Sequence, residues 1–211
     1  MQERFIPVQR TARYHVLGDP ASARTIWIVV HGYGQLARFF LNNFAGLEEG
    51  CCIVAPEGLS RFYLDQAHSR VGATWMTRED RQHEIDDHIR YLDTLVEHML
   101  KEAPPNTVVN ALGFSQGVAT VARWAMHGRS TVQRLVLWAG PLPPEMEHHA
   151  LSNWRALHVD LVLGDADEYA TAEALGTMAQ RLTTAGVPHA THVFKGGHQL
   201  DAILLRELWG R

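Results

Sequence analysis

Five short apolar runs recur along the chain, at residues 25–30, 51–55, 108–112, 135–139 and 159–163, and a last short strand is predicted at 191–194. Each is closed by a glycine or proline signal: HGYG, Pro56, Gly113, Gly140-Pro141, Gly164 and KGGH. Runs without polar alternation predict strands buried on both faces, as in a parallel sheet. Between them lie segments with helical spacing, at 36–48, 116–127, 170–185 and 199–209. The longest predicted helix carries Ile85, Ile89, Leu92, Val96 and Met99 at intervals of three and four, which is one helix face. Thr77-Arg78-Glu79-Asp80 predicts a capping box at its start, with Asp80 in place of Glu or Gln, and Pro104-Pro105 ends it. Residues 5–17 predict a hairpin or meander at a sheet edge. Two long stretches, 57–76 and 141–156, have neither periodicity, and irregular segments of that length are usually functional. The pattern predicts one α/β domain over 1–211, with a mostly parallel central sheet, helices on both faces and no separate cap domain.

Composition narrows the function. The chain has 211 residues, 46% hydrophobic and 20% charged, the balance of a soluble globular protein. Nineteen basic against 23 acidic side chains leave a formal charge of -4. No basic excess is present to hold a nucleic-acid backbone and no polybasic run to hold an anionic membrane, so neither partner is expected. No segment approaches the length of a membrane span, and the N-terminal sequence lacks the apolar region of a secretory signal. Cys51 and Cys52 are adjacent and would be strained as a disulfide. They read as reduced, buried thiols, which with the rest predicts a cytoplasmic protein.

The chemistry concentrates at turns that follow predicted strands. Gly113-Phe114-Ser115-Gln116-Gly117 stands between a strand and a helix, the context a nucleophile elbow requires. The turn is so tight that a Cβ two residues either side of the nucleophile would clash. It also places the Gln116 N–H at a helix start, where negative charge is favoured. A serine needs a base, and strand-end positions supply candidates. His198 follows Gly196-Gly197 after the last strand, and Asp165, Asp167 and Glu168 lie in GDADE after the fifth. Among 13 histidines, His198 alone combines these positions. Asp167 is favoured as its partner, with Asp165 the competitor. His83, His88 and His98 are expected to face solvent from the long helix, and His148 and His149 to lie in a loop. HEIDDH at 83–88 is not a zinc motif, because five residues turn the two rings to different helix faces. No metal or other cofactor is expected. His31-Gly32-Tyr33-Gly34 follows the first long strand and offers the Tyr33 N–H as a second oxyanion donor, with the His31 ring structural. Phe62, Tyr63, Trp75 and Met76 in 57–76 are candidates for a substrate wall. Arg61 and Arg70 read as a solvated face.

HGYG at 31–34, GFSQG at 113–117, GDAD at 164–167 and GGH at 196–198 together resemble the α/β-hydrolase superfamily. More narrowly, the chain is similar to the small phospholipase/carboxylesterase family, which includes acyl-protein-thioesterase-like proteins. The resemblance implies cofactor-free hydrolysis of carboxylic esters or thioesters of small to medium acyl or aryl groups, with Ser115, His198 and Asp167 as triad. Gln35, where the family often has aspartate, and the stretches 57–76 and 141–156 depart from it. Two rivals remain at this level: a non-catalytic hydrolase-fold ligand-binding protein, and a peptidase or acyltransferase using the same triad.

Overall fold

The computed structural model describes residues 1–146 and 151–210. Its centre is a seven-stranded sheet. In chain order the strands are β1 (Tyr14–Leu17), β2 (Thr25–Val30), β3 (Cys51–Pro56), β6 (Val108–Phe114), β7 (Arg134–Trp138), β8 (His158–Gly164) and β9 (His189–Phe194). A separate hairpin pairs β4 (Ser60–Tyr63) with β5 (Val71–Thr74). The α-helices that lie wholly within the described residues are α1 (Ala37–Leu41), α2 (Arg81–Glu102), α3 (Gln116–His127), α4 (Ala172–Ala185) and α5 (Ala202–Trp209). The sheet order is β1-β3-β2-β6-β7-β8-β9, and only β1 runs antiparallel to its neighbour.

The apolar runs have no polar face because both faces of the sheet are covered. Along β2, Ile26, Ile28 and Val30 pack into one core with α2, α3 and α4. Trp27 and Val29, on the opposite parity, join a second core with α1 and α5. Helix boundaries follow local chemistry. Thr171 accepts a hydrogen bond from the Ala174 N–H at 3.1 Å to start α4, and Gly186, at φ 69°, ends it. Asp201 caps α5 through the Leu204 N–H at 2.8 Å.

Five expectations need correction. Within 5–17 only Tyr14–Leu17 forms a strand, paired with β3; Pro7 offers no N–H, and Phe5, Ile6 and Val8 stay exposed. The predicted helix at 36–48 is α1 followed by a 3₁₀ turn over Asn42–Phe44, with Gly46 at φ 83° beyond it. The stretch 57–76 is not irregular but contains the β4–β5 hairpin; its strands pair only with each other and carry no long apolar run. The capping box is absent. Asp80 sits at φ 49° without capping, its carboxylate meets the His83 ring at 2.5 Å, and the Thr77 N–H donates instead to Glu84. Finally, His88 is buried, not solvent-facing, with the Arg123 guanidinium of α3 nearby. The expected loop histidines His148 and His149 lie outside the described residues.

Candidate active site

The turn predicted as a nucleophile elbow forms where β6 passes into α3. Ser115 takes φ 54° and ψ −117°, a conformation that costs a non-glycine residue about 1–3 kcal/mol. The turn is packed backbone against backbone. A Cβ at Gly113 would stand 2.4 Å from the Gly117 carbonyl oxygen, and one at Gly117 would stand 2.3 Å from that of Val30. Both glycines are therefore required. The Ser115 N–H is held by the Trp138 carbonyl at 2.9 Å, which ties the elbow to β7.

Ser115 Oγ lies 2.9 Å from His198 Nε2. On the other side of the ring, Nδ1 is 2.9 Å from Asp167 Oδ2 and 3.1 Å from Oδ1. The Asp167 carboxylate also accepts the Tyr169 and Ala170 N–H groups, at 2.9 and 3.0 Å. Burial pushes its pKa up, but these donors and the imidazole outweigh burial and hold it below the ordinary carboxylate range. An ionised Asp167 requires the Nδ1–H tautomer of His198, which leaves the Nε2 lone pair facing the Ser115 hydroxyl. Asp165 plays a different part: its carboxylate accepts the Gly196 N–H at 3.0 Å and braces the loop that carries His198.

The HGYG loop follows β2 and is fastened on three sides. His31 is fully buried, and Nε2 accepts the Gly58 N–H at 3.0 Å. Nδ1 therefore carries the proton and donates to the Gly32 carbonyl at 2.7 Å. Burial lowers the pKa of His31, which keeps the ring neutral. The Gln35 side chain accepts the Gly32 N–H at 2.8 Å, and Gly34 N–H reaches the Ala73 carbonyl of β5 at 2.9 Å. Because the Gly32 carbonyl is turned toward the His31 ring, the next N–H, that of Tyr33, points the other way across the peptide plane. Among the described residues neither the Tyr33 nor the Gln116 N–H has a protein acceptor.

The four candidates for a substrate wall separate. Trp75 is buried and donates from Nε1 to the His31 carbonyl at 3.0 Å; it supports the HGYG loop from inside. Met76 is half-buried, against Arg123. Phe62 and Tyr63 lie on β4, Phe62 with its ring 5.0 Å from that of Tyr33, and Tyr63 exposed and stacked on His68. Arg61 is bonded to the buried carboxylate of Glu57 at 2.7 Å.

Sequence reasoning missed three contributors. Glu57 also binds Arg13 at 2.7 Å and the Ala37 N–H at 3.2 Å, joining the N-terminal segment, α1 and β4. Tyr169 sets its ring edge-on to His198, 4.8 Å between centroids. The Gln116 side chain grips residues 74–76. Only Tyr169 carried a signal, its place just after GDADE. Among the described residues no cluster of His, Cys, Asp and Glu could hold a metal ion, and no helix is long and apolar enough to cross a membrane.

A phospholipase/carboxylesterase family model matches residues 16–208. A search of the curated proteins found no significant match. Among solved structures, acyl-protein thioesterase 2 of Zea mays aligns at 17% identity with a TM-score of 0.73, covering 95% of this chain and 97% of that one. A carboxylesterase from Mesorhizobium loti aligns at 16% identity and TM-score 0.71, covering 94% of each chain. The Bacillus cereus carboxylesterase aligns at 14% identity and TM-score 0.70, covering 94% and 93%. At these identities the likeness is one of fold.

Proposed function

Because the chain belongs to the phospholipase/carboxylesterase family, we propose that it hydrolyses small to medium carboxylic esters or thioesters through a Ser115–His198–Asp167 triad. The unbroken hydrogen-bond chain from Ser115 Oγ through the imidazole to Asp167 carries this reading.

The Ser115 hydroxyl attacks the ester carbonyl carbon as its proton passes to His198 Nε2. A C–O bond forms, and the carbonyl π pair moves onto the oxygen. The N–H groups of Tyr33 and Gln116 stabilise that oxyanion, the second aided by the start of α3. Collapse breaks the bond to the alcohol or thiol, which leaves with the proton from Nε2. Water then attacks the acyl-enzyme and loses a proton to His198 Nε2; the bond from the acyl carbon to Ser115 Oγ breaks as Nε2 passes that proton to Oγ, and the acid is released. Asp167, kept ionised by its donors, holds the imidazole tautomer and stabilises the imidazolium.

A fluorophosphonate probe tests the reading. The wild type should label at Ser115 and hydrolyse p-nitrophenyl esters, and Ser115→Ala should do neither above background. An unlabelled, inactive wild type refutes it.

A further inference from the structure

Between the ends of β7 and β8 and the start of α4 lies an apolar recess of about 70 Å³. Its walls are Pro141, Leu163, Ala170, Ala174, Leu175 and Met178. Two features place it at the reacting centre. Tyr169 stands at its edge with its ring against His198. Gly140, also in its lining, approaches the elbow so closely that a Cβ there would stand 2.3 Å from the Ser115 carbonyl oxygen.

The lining contains no charged side chain. Its one aliphatic hydroxyl, that of Thr171, is engaged in capping α4. The Met178 sulfur is held by the Leu142 N–H at 3.1 Å, so that wall is anchored. A polar group entering such a space would lose its hydration without finding a partner, so the recess suits only an uncharged apolar group. Size sets a second limit. An apolar cavity of roughly 150 Å³ admits benzene, with its six carbons, so a space half as large takes about three.

We propose that this recess receives a short unbranched aliphatic chain of the ester, about three carbons beyond the ester group, and makes the protein selective for short-chain esters. The proposal rests on the hydrolase reading of Ser115. Each methylene buried here raises the apparent second-order rate constant, and a longer chain must turn out into solvent, where further carbons add nothing.

Two substrate series test this and assign the chain to one side of the ester. One series is p-nitrophenyl acetate to octanoate, which varies the acyl chain; the other is methyl to hexyl acetate, which varies the alcohol. In one series kcat/KM should rise about tenfold from one carbon to three beyond the ester group and then level or fall. Ala174→Phe, which fills the recess, should erase that rise. Met178→Ala, which widens it, should move the maximum to longer chains. The series that responds names the acyl or the alcohol arm. The proposal is overturned if neither series turns over near three carbons, or if both variants leave the profile where it was. Fluorophosphonate labelling of each protein separates the two readings. A labelled wild type with featureless series refutes the recess alone, whereas an unlabelled wild type refutes the hydrolase reading beneath it. Either variant suffices, so one that fails to fold and label leaves the other as the test.

Discussion

Asp165 and Asp167 are two residues apart, and both are acidic groups at the end of β8. Only Asp167 reaches the imidazole, whereas Asp165 spends its carboxylate on the Gly196 N–H. Asp167→Asn keeps the shape but presents an amide that can no longer enforce the Nδ1–H tautomer, so kcat should fall by about 10⁴-fold. Asp165→Asn loses one charged acceptor in an exposed loop and should stay within roughly tenfold of the wild type. Equal losses in steady-state ester assays would remove Asp167 from its assigned role. At this scale the sequence was informative, because the elbow and the HGYG loop rest on backbone sterics that only certain residues satisfy. It left Asp165 and Asp167 open because both sit in one turn, and which carboxylate faces His198 depends on where the loop folds back. It was silent on Glu57, whose partners Arg13 and Ala37 are remote in sequence and brought together only by tertiary structure.

The parallel strands and the helices on them were legible as elements, since a doubly covered sheet writes continuous apolar runs into the chain. The β4–β5 hairpin was not, because it belongs to no layer of the core and has a weak pattern. Yet the hairpin bears on the candidate site through hydrogen bonds. The Gln116 side chain accepts the Trp75 N–H at 3.1 Å and donates to the Met76 carbonyl and the Thr74 hydroxyl, both at 3.0 Å. One residue earlier, Ala73 of β5 holds Gly34. The elbow, the hairpin base and the HGYG loop are thus joined in series, so the two backbone donors proposed for the oxyanion are positioned by one side chain. Gln116→Leu keeps its own N–H but leaves the Trp75 N–H and the Met76 carbonyl without this partner. A displaced donor matters most when the oxyanion forms. We expect kcat to fall about ten- to a hundredfold with KM changed less than threefold. A matched rise in KM with kcat preserved would show that the clasp serves ground-state binding instead.

Across the described residues, the buried carboxylates and the buried histidines titrate in successive pH windows on the acid side. Glu57, Asp93, Asp160 and Asp167 are inside the protein; burial pushes each pKa up, but arginine, imidazole, indole, hydroxyl or backbone donors outweigh it and hold all four below the ordinary carboxylate range. Their contribution is present above the unfolded carboxylate value, near 4, and is lost as pH falls below it. The buried histidines act earlier. Burial and then the nearby Arg123 guanidinium push His88 down to about 4, against the smaller raising effect of the Trp75 and Glu84 backbone. Burial likewise lowers His31. A histidine whose folded value is depressed takes up its proton in the unfolded chain first, so between about 6.5 and the folded value acid favours unfolding. His83, raised by its bond to Asp80, works in the opposite sense but from an exposed site. For His88 the uptake amounts to about 3 kcal/mol lost between neutral pH and pH 4, a sizeable share of a total that is typically about 5–15 kcal/mol. Urea denaturation at pH 7.5, 5.5 and 4 measures this directly. The wild type should lose stability before the carboxylates begin to protonate, and His88→Leu should lose about 3 kcal/mol less over the same interval. Parallel slopes for the two proteins would mean that His88 protonates inside the fold, through an opening of the α2–α3 interface that admits water to the ring.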